Sequence, residues 1–292
     1  MKTYILYNPH AGNRNGEEVA QELCALYQGE VVLQDMTQIG DYASFLAPLT
    51  QEDTLLICGG DGTLNRFVND TEGLSIPCEI LYSAVGTGND FLHDLEKDTA
   101  NAPISITQYL RDLPFVEVKG KKYRYLNGIG FGIDGYCCEE GDKKKAKSDK
   151  AVNYTAIAIK GLLFRYKPAN ATITVDGKSY SYKKAWIAAT MNGRFYGGGM
   201  MTAPKQDRLN EQGEVTLVVM HGSGKLKTLM VFPTIFKGEH VKHEDMVAVH
   251  KGRDITVTFD SPRALQIDGE TVLDVTSYHV TSAKLAPIPA TV

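Results

Sequence analysis

Residues 54–69 read TLLICGGDGTLNRFVN, and this stretch decides the fold of the first part of the chain. The apolar run at 55–58 is typical of a buried parallel strand. A glycine-rich turn follows it, and then Leu64, Phe67 and Val68 recur at helical spacing. A strand, a glycine turn and a helix start aim several backbone N–H groups at one point. The stretch therefore predicts a phosphate-binding site.

The turn itself, Gly59-Gly60-Asp61-Gly62-Thr63, suggests more than passive anion binding. We expect its glycines to be needed because a Cβ would block both the turn angles and the approach of an anion. Asp61 stands out, since a carboxylate repels phosphates unless a cation or a proton lies between them. It predicts a divalent metal or an acid–base role. The alternative is a plain turn that carries a solvated Asp.

The bulk properties narrow the class of protein. The chain has 292 residues, which suffices for two domains or one large one. A formal net charge of −4 argues against a nucleic-acid partner. Five cysteines without C-x-x-C spacing favour a reducing cytoplasm. The start of the sequence predicts a strand and a turn rather than a signal peptide. No apolar run approaches the roughly 20 residues that span a bilayer, so we expect any membrane contact to be peripheral.

Strands and helices alternate in the first third of the chain, which predicts a parallel sheet covered on both faces. Ligands of such sheets bind beyond the carboxyl ends of the strands. The turns at 8–12, 59–63 and 86–89 all follow predicted strands, so we expect them to gather on one rim. The predicted strands are 4–7, 31–33, 55–58 and 80–83, and the predicted helices are 17–27, 41–49 and 63–69.

Beyond residue 115 the pattern changes to strands separated by turns, which predicts a β-rich second domain, a sandwich or a barrel. We place the first domain at 1–118 and the second at 119–277, and a last strand within 278–292 could return to the first. Two helices are expected near 150–164 and 225–236. The lysines at 143–145, 147 and 150 lie in a polar connection, as a solvated loop or a weak phospholipid contact.

Two further turns complete the predicted rim. Asn8-Pro9-His10-Ala11-Gly12 offers backbone N–H groups and the Asn8 amide. In the turn that begins at Gly86, Thr87 supplies a hydroxyl. Asn89 and Asp90 either cap the helix that follows or contact a substrate.

These three motifs, N-P-x-A-G, G-G-D-G-T-x-N and G-T-x-N-D-F, in this order resemble the bacterial lipid kinases related to diacylglycerol and sphingosine kinases. Downstream, Asn192, Gly197–Gly199 and Pro204 resemble the family's N…G-G-G…P segment, and Asp268-Gly269-Glu270 resembles its late D-G-E motif. The resemblance covers nearly the whole chain. It implies an α/β N-terminal domain with a parallel sheet, a β-sandwich C-terminal domain and an active cleft between the two domains.

The resemblance also implies a reaction, the transfer of the γ-phosphoryl group of ATP to a hydroxyl of a diacylglycerol-like lipid at a membrane surface, with Mg²⁺. Its proton acceptor falls on Glu270, with Asp268 beside it, and Asp61 completes the catalytic set. A carboxylate near the acceptor hydroxyl is what phosphoryl transfer needs. The residues implied to bind ATP are Asn8, Pro9, His10, Ala11, Gly12, Thr37, Gly59, Gly60, Asp61, Gly62, Thr63, Leu64, Asn65 and Thr87.

The chain departs from the family pattern at two places. Arg66 stands where the family usually has Glu, which exchanges an acid for a cation one turn into the helix. Gln212 stands where the family commonly has the Asp of an Asp-Gly turn that supports a structural Mg²⁺. Asp207 or Glu211 could substitute at that metal site, and Asp61 could meet a metal through the nucleotide. The metal ligands are therefore left open.

Two other sequence patterns are weaker indicators of function. The segment 128–135, GIGFGIDG, has the wrong glycine spacing for a dinucleotide-binding fingerprint, so we expect turns there. His240 and His243 form an H-x-x-H without an obvious third ligand, and we expect surface histidines rather than a zinc site.

Two alternative functions stay open. An NAD kinase shares G-G-D-G-T but acts on a polar acceptor. A nucleotide-binding relic without turnover would explain both Arg66 and Gln212. The sequence leaves the acceptor lipid and a homodimer undecided.

Overall fold

A computed structural model describes residues 1–11, 15–85, 89–96, 102–147 and 152–284 of the chain. The chain divides into two compact units, Met1–Arg111 and Asp112–Val292. Within the described ranges, no helix is both long enough and apolar enough to cross a bilayer.

The first unit alternates strands and helices, as the sequence predicts. Its strands are β1 (Lys2–Tyr7), β2 (Glu30–Asp35), β3 (Thr54–Gly59), β4 (Glu79–Ala84) and β5 (Ile104–Ser105). Its helices are α1 (Gly16–Cys24), α2 (Tyr42–Leu46), α3 (Asp61–Asp70), α4 (Asp90–Asp94) and α5 (Thr107–Leu110), with a 3-10 turn at Met36–Gln38.

The described strands of this unit form one sheet in the order β2-β1-β3-β4-β5. The first four are parallel, and β5 pairs antiparallel with β4. The predicted parallel α/β sheet is thereby confirmed. Because β1, β3 and β4 are neighbours in register, the segments that leave their carboxyl ends emerge side by side on one rim.

The second unit is mostly antiparallel. Its strands are β6 (Phe115–Val118), β7 (Lys121–Arg124), β8 (Gly128–Gly132), β9 (Ala169–Val175), β10 (Lys178–Ala185), β11 (Ile187–Met191), β12 (Val215–Met220), β13 (Val247–Gly252), β14 (Asp254–Ile267) and β15 (Glu270–Thr281). Its helices are α6 (Ile133–Lys145), α7 (Tyr154–Lys160) and α8 (Lys225–Val231); a π-helical turn covers Gly161–Arg165, and 3-10 turns cover Phe232–Lys237 and Glu239–Lys242.

The long strand β14 explains how this sheet closes into a sandwich-like domain. Its first part pairs with β9 and its last residues pair with β8. Between them the register with β15 shifts around Arg263. Bulges of this kind bend a strand and increase its twist, so one strand serves both layers. Phe131 of β8 stacks on Phe259 of β14 at 4.0 Å between ring centroids, inside the core that the layers enclose.

Strand β11 shows why part of this unit does not alternate between apolar and polar residues. Ala188 faces the sandwich core, whereas Ile187, Ala189 and Met191 join a second core under the helices. Both faces of the strand are buried, so every position is apolar or paired. A helical layer on the sandwich is therefore part of the fold.

The structure corrects two expectations here. The segment 128–135 was expected to form turns, but its glycines form the buried strand β8 and its last residues begin α6. A Cβ at Gly130 would overlap the Asp134 carboxylate, so the glycine allows close packing rather than a turn. Lys143–Lys145 belong to the last turn of α6, not to a loop, and Lys150 lies outside the described residues.

Candidate active site

The start of α3 is joined to the turn after β1 by one side chain. Asn8 Nδ2 donates to Thr63 Oγ1 at 3.0 Å, and His10 N donates to Asn8 Oδ1 at 3.0 Å. Asn8 N also donates to Cys58 O of β3. The Asn8 amide thus holds two predicted loops together, and Pro9 and Ala11 lie in the same turn.

The start of α3 also contacts the beginning of α4. Phe91 N donates to Asp61 Oδ2 at 3.3 Å. Asn89 occupies the N-cap position of α4, but its side chain makes no cap hydrogen bond. The cap of this short helix comes from a residue 30 positions earlier in the chain, which sequence spacing alone could not indicate. Asp61 therefore contacts the start of α4, the helix that follows the third predicted turn.

The expected role of the glycines is wrong in one respect. Gly59, Gly60 and Gly62 all avoid the left-handed region, so the turn angles do not demand glycine. A Cβ at Gly59 would instead overlap the side chain of Thr63. Nothing lies within 4 Å of the position that a Cβ of Gly62 would take. The first turn of α3 is open at Gly62, where helix-start N–H groups favour an anion.

Other residues predicted to bind ATP lie nearby with different degrees of access. The side chain of Leu64 is fully buried, and its backbone N donates to Gly60 O. Asn65 accepts a hydrogen bond from Asn69 within α3. Thr37 follows β2, and its N and Oγ1 both donate to Asp35 Oδ1. Gly12 and Thr87 lie outside the described residues.

Arg66 is directed along the surface of α3. Its Nε pairs with Asp70 Oδ2 at 3.3 Å, one turn further along, and both side chains are exposed. The pair lies in the middle and at the end of the helix, whereas the predicted phosphate site is at its start. The substitution of the family's Glu is thereby accommodated in a surface ion pair.

In the second unit, Asp268 and Gly269 form the two-residue turn between β14 and β15. Both have positive φ, 45° and 93°, as a tight hairpin with this twist requires. The Asp268 carboxylate accepts backbone N–H bonds from Leu126 at 2.5 Å, Asn127 at 2.8 Å and Gly128 at 3.0 Å. Burial raises the pKa of this carboxyl, and the three N–H donors act in the opposite direction.

Glu270 differs from Asp268 in its surroundings. It is the first residue of β15, opposite Ile267, and its side chain is exposed. The hairpin therefore presents one carboxylate to solvent and holds the other against the chain. Of the two acids in the D-G-E motif, only Glu270 is placed to meet a reactant without breaking backbone hydrogen bonds.

A buried polar chain supports this hairpin from behind, and sequence reasoning missed it. Gln266 Nε2 donates to Asp134 Oδ2 at 3.0 Å, and Gly269 N donates to Gln266 Oε1 at 2.7 Å. Asp134 and Gln266 are both buried. The signal was present in the sequence, because Asp134 stands in a glycine-rich segment, as Asp61 does.

The segment that Asp268 holds is fixed from its other side as well. Arg208 donates to Leu126 O and to Asn127 Oδ1, both at 2.6 Å. Asn192 Nδ2 donates to Leu126 O at 2.9 Å, and its backbone N donates to Asn127 O. The resemblance had singled out Asn192, and the structure adds Arg208 and Asn127.

The glycine run after Asn192 forms a tight loop. Gly197, Gly198 and Gly199 all have positive φ, and Tyr196 and Met200 exchange backbone hydrogen bonds across them. Three successive left-handed residues explain why glycine is required here. Pro204 lies beyond the loop, packed close to Gly238.

The loop around Gln212 does not fit a structural metal site. Asn210 Nδ2 donates to the backbone oxygens of Asp207 and Glu214, and the ammonium of Lys284 donates to Asn210 O at 3.1 Å. The loop is thus held by its own Asn210 side chain and by a lysine ammonium. Among the described residues, no group of three or more His, Cys, Asp or Glu is arranged to hold a metal ion.

His240 corrects the expectation of surface histidines. Its side chain is fully buried, and Nε2 lies 3.0 Å from Thr202 O. Burial lowers its pKa to about 4. His243 lies near enough to contribute to this shift. The H-x-x-H pattern therefore contains one core histidine, held neutral near pH 7.

A separate cavity of about 620 Å³ lies within the second unit. Cationic and aromatic side chains line part of it, including Arg165, Lys167, Arg263 and Tyr166. None of the described residues that the sequence predicts for catalysis or ATP binding lines this cavity.

Comparisons with known proteins agree with these two units. Residues 2–114 match the family described as diacylglycerol kinase catalytic domain. Residues 127–287, more than half of the chain, match the YegS C-terminal NAD kinase beta sandwich-like domain.

Individual relatives are distant but match over most of their length. A Bacillus subtilis protein named "Putative lipid kinase YtlR" is 24% identical over 312 residues, which cover 96% of each chain. A diacylglycerol kinase of the same organism is 26% identical and covers 91% of this chain and 88% of its own.

Among solved structures, a "putative diacylglycerol kinase" from Bacillus anthracis superposes with a TM-score of 0.67. It is 18% identical and covers 96% of this chain and 93% of its own, so it supports the fold alone. Together, the family matches identify the protein as a kinase of the lipid kinase and diacylglycerol kinase family, with a diacylglycerol kinase catalytic domain followed by a YegS C-terminal domain.

Proposed function

We propose that the protein is an ATP-dependent lipid kinase that transfers the γ-phosphoryl group to a hydroxyl of a diacylglycerol-like lipid. Family membership supports the reaction class. The observation that carries the nucleotide half of the proposal is the pair of contacts Asn8–Thr63 and Asp61–Phe91, which join the segments after β1, β3 and β4 around the start of α3.

The start of α3 would hold the phosphates of ATP. Its first-turn N–H groups and helix dipole favour negative charge. The absence of a side chain at Gly62 leaves room for an anion to approach. Asn8 and Thr63 would keep the two walls of this site at a constant separation through their hydrogen bond.

Mg²⁺ would accompany ATP and neutralise charge on its phosphates. Asp61 would face such a cation, because it begins α3, where the predicted phosphate site lies. The loop around Gln212 would take no part, since Lys284 already donates to it.

Glu270 would receive the proton of the acceptor hydroxyl. As the hydroxyl oxygen bonds to the γ-phosphorus, the bond from that phosphorus to the β–γ bridging oxygen breaks and ADP leaves. The proton passes to the Glu270 carboxylate, which is exposed and held at a defined hairpin position. Asp268 would act as a positioning residue, because its oxygens already accept three backbone hydrogen bonds.

The lipid acceptor also determines where in the cell the protein would act. Diacylglycerol-like lipids reside in membranes and ATP is abundant in the cytoplasm, so the proposal places the enzyme in the cytoplasm with peripheral access to a membrane surface.

The direct test is transfer from radiolabelled ATP with Mg²⁺ to diacylglycerol in mixed micelles, with NAD as a second acceptor in parallel. We expect labelled phosphatidic acid and no labelled NADP. Label on NAD alone would favour the NAD kinase alternative. ATP binding without transfer to any lipid alcohol in an extracted panel would favour the relic without turnover.

Glu270→Gln tests the assigned base. We expect kcat to fall by about a hundredfold to ten-thousandfold, while ATP binding and thermal stability stay unchanged because the side chain is exposed. Glu211→Gln, at another exposed acid of the same unit, is the matched control and should keep full activity. An unchanged rate in Glu270→Gln would remove this residue from the mechanism.

A further inference from the structure

Three large apolar side chains of the second unit are unusually exposed. Phe164 of the π-helical turn is 77% exposed, and Leu226 and Met230 of α8 are 74% and 72% exposed. We call these three residues the apolar ridge. Single exposed apolar residues are common on proteins, but a group of large ones marks an interaction site.

The apolar ridge belongs to one local surface. Leu226 and Met230 are four residues apart in α8, so they lie on the same helix face. The opposite face of α8 is buried through Thr228 and Val231. The π-helical turn is fastened to α8, because Lys225 Nζ donates to Leu163 O at 2.9 Å, one residue before Phe164.

The π-helical turn and α8 also pack against the same hydrophobic core. Leu162 of the π-helical turn and Val231 of α8 belong to the same hydrophobic cluster, together with Ile235. The segments are thus packed together from inside while their outer faces stay apolar. The exposure of the ridge is consequently a feature of two packed helical segments, and not of a loose end.

The charge around the apolar ridge is one-sided. Segments 154–167 and 225–237 contain no Asp or Glu, although the whole chain carries a formal charge of −4. Their exposed cations are Lys160, Arg165, Lys167, Lys225, Lys227 and Lys237. Lys227 pairs with Asp245 outside these segments, Glu239 lies near Lys237, and Glu139 lines the same cavity as Arg165, so the rim carries more cations than anions.

We propose that the apolar ridge and its cationic rim dock the protein onto the surface of an anionic phospholipid membrane. Phe164, Leu226 and Met230 would enter the boundary between headgroups and acyl chains, and Lys160 and Arg165 would meet the headgroup phosphates. Apolar anchors surrounded by Lys and Arg are the combination that binds such interfaces. The proposal extends the proposed function, which needs an acceptor that resides in a membrane.

The lysines singled out from the sequence fit this role less well. Lys143 pairs with Glu139 at 2.7 Å and with Glu140 at 2.9 Å, so much of its charge is compensated. Lys145 lies over the ring of Tyr154. The membrane contact expected near 143–150 is therefore reassigned to the neighbouring surface that carries both charge and apolar area.

The test is cosedimentation of the purified full chain with vesicles of phosphatidylglycerol and phosphatidylcholine, compared with vesicles of phosphatidylcholine alone. We expect binding to the anionic vesicles that weakens at about 0.5 M salt. The triple variant Phe164→Ser, Leu226→Ser, Met230→Ser should bind at least about tenfold more weakly. Lys160→Gln with Arg165→Gln should lose the preference for anionic vesicles.

Leu26→Ser is the matched control. Leu26 is 57% exposed in the first unit, and no Lys or Arg occurs between residues 16 and 36. The Leu26→Ser variant should bind vesicles as the wild type does. Thermal melting of each variant checks the fold, and Leu226→Ser alone replaces the triple variant if that one does not fold.

Phe164→Trp offers a direct readout. The chain contains one tryptophan, Trp186, which is buried and gives a constant background. Emission from the introduced indole should shift to the blue when anionic vesicles are added, and an unshifted spectrum at vesicle concentrations that bind the protein would overturn the assignment.

Three further outcomes would overturn the docking proposal: a wild type that does not bind anionic vesicles, a triple variant that binds them equally well, or a wild type that dimerises through the ridge in sedimentation velocity. Transfer to a short-chain, water-soluble diacylglycerol is measured separately. It should survive in the triple variant, so failure of the docking surface and failure of the kinase assignment are distinguishable.

Discussion

Each of the two units carries an Asp-Gly pair in a predicted functional motif, at Asp61 and at Asp268, yet the two aspartates differ in their structural surroundings. Asp61 begins a helix, and its Oδ2 accepts a hydrogen bond from Phe91 N. Asp268 lies between two strands, has positive φ and accepts three backbone bonds. The first arrangement places a carboxylate at the helix start that the proposed function assigns to the phosphates of ATP, and the second makes a carboxylate part of the scaffold of its hairpin.

The sharpest way to break this comparison is Asp61→Ala. We expect phosphoryl transfer to fall by roughly three orders of magnitude, because a preorganised charge beside the phosphates is lost. Stability should fall by only about 1 kcal/mol, the usual cost of a lost helix cap. Steady-state kinetics and urea unfolding give the two values.

Asp70→Ala, at the other end of α3, is the control for Asp61→Ala and should keep its activity. If both variants lost activity equally, a general weakening of the helix would explain the result and the assigned role of Asp61 would be wrong.

Asp268→Ala, in contrast to Asp61→Ala, should act mainly on stability. Three buried N–H groups lose their acceptor, and alanine is disfavoured at positive φ, so we expect a loss of about 3–5 kcal/mol in the free energy of unfolding. Asp268→Asn should cost less, since it keeps an acceptor and tolerates this backbone region. Chemical denaturation is the measurement.

A second Asp-Gly hairpin in the same unit provides the control for Asp268. Asp176 also has positive φ, and its Oδ1 accepts Arg253 N and Asp254 N, but its side chain is exposed. Asp176→Ala should cost less stability and leave kcat unchanged. Equal losses at both turns would mean that burial does not distinguish them.

His240 makes the stability of the protein depend on pH, and this dependence tests the packing of the second unit. Its folded pKa, lowered to about 4, lies below the unfolded value of about 6.5, so the unfolded state binds more protons between these values. The contribution of neutral His240 to the free energy of unfolding is complete above about pH 6.5 and is lost as the pH falls towards 4. At pH 5 we expect a loss of about 2 kcal/mol relative to pH 7.

The measurement is the urea midpoint at pH 7 and at pH 5, for the wild type and His240→Gln. The variant should start from a lower stability at pH 7 and lose less on acidification. A wild type and a variant with the same pH dependence would show that His240 does not titrate as its burial implies.

Arg66→Glu should have the smallest effect. It removes the exposed pair with Asp70 and costs about 0.5 kcal/mol of stability. We expect no change in kcat, because Arg66 is directed away from the start of α3. A large gain in turnover would instead support the relic without turnover.

Much of the first unit could be predicted because its signals are local. An apolar run, a glycine turn and a 3-4 apolar spacing specify β3 and α3 within a few residues of their observed bounds. The observed strand is longer than the predicted one because hydrogen bonds to neighbouring strands extend β3 beyond its apolar run. The reason for the glycines was not predictable, since the close contact of Gly59 with Thr63 depends on how the helix folds back.

The second unit was harder to predict for a physical reason. Strand β8 and helix α6 are buried by partners far along the chain, so their glycines reflect close packing and not chain reversal. The continuity of β14 from Asp254 to Ile267 depends on register shifts that no residue pattern indicated.

The sequence by itself determined the order of strands and helices in the first unit, the glycine-rich turns that follow its strands and the D-G-E hairpin, because each depends on residues adjacent in the chain. Only the tertiary structure decided that Asp61 caps α4, that Asp268 is held by 126–128 and that Phe164, Leu226 and Met230 share one surface. These features join residues far apart in sequence, and which side chains are buried or exposed follows from packing between elements.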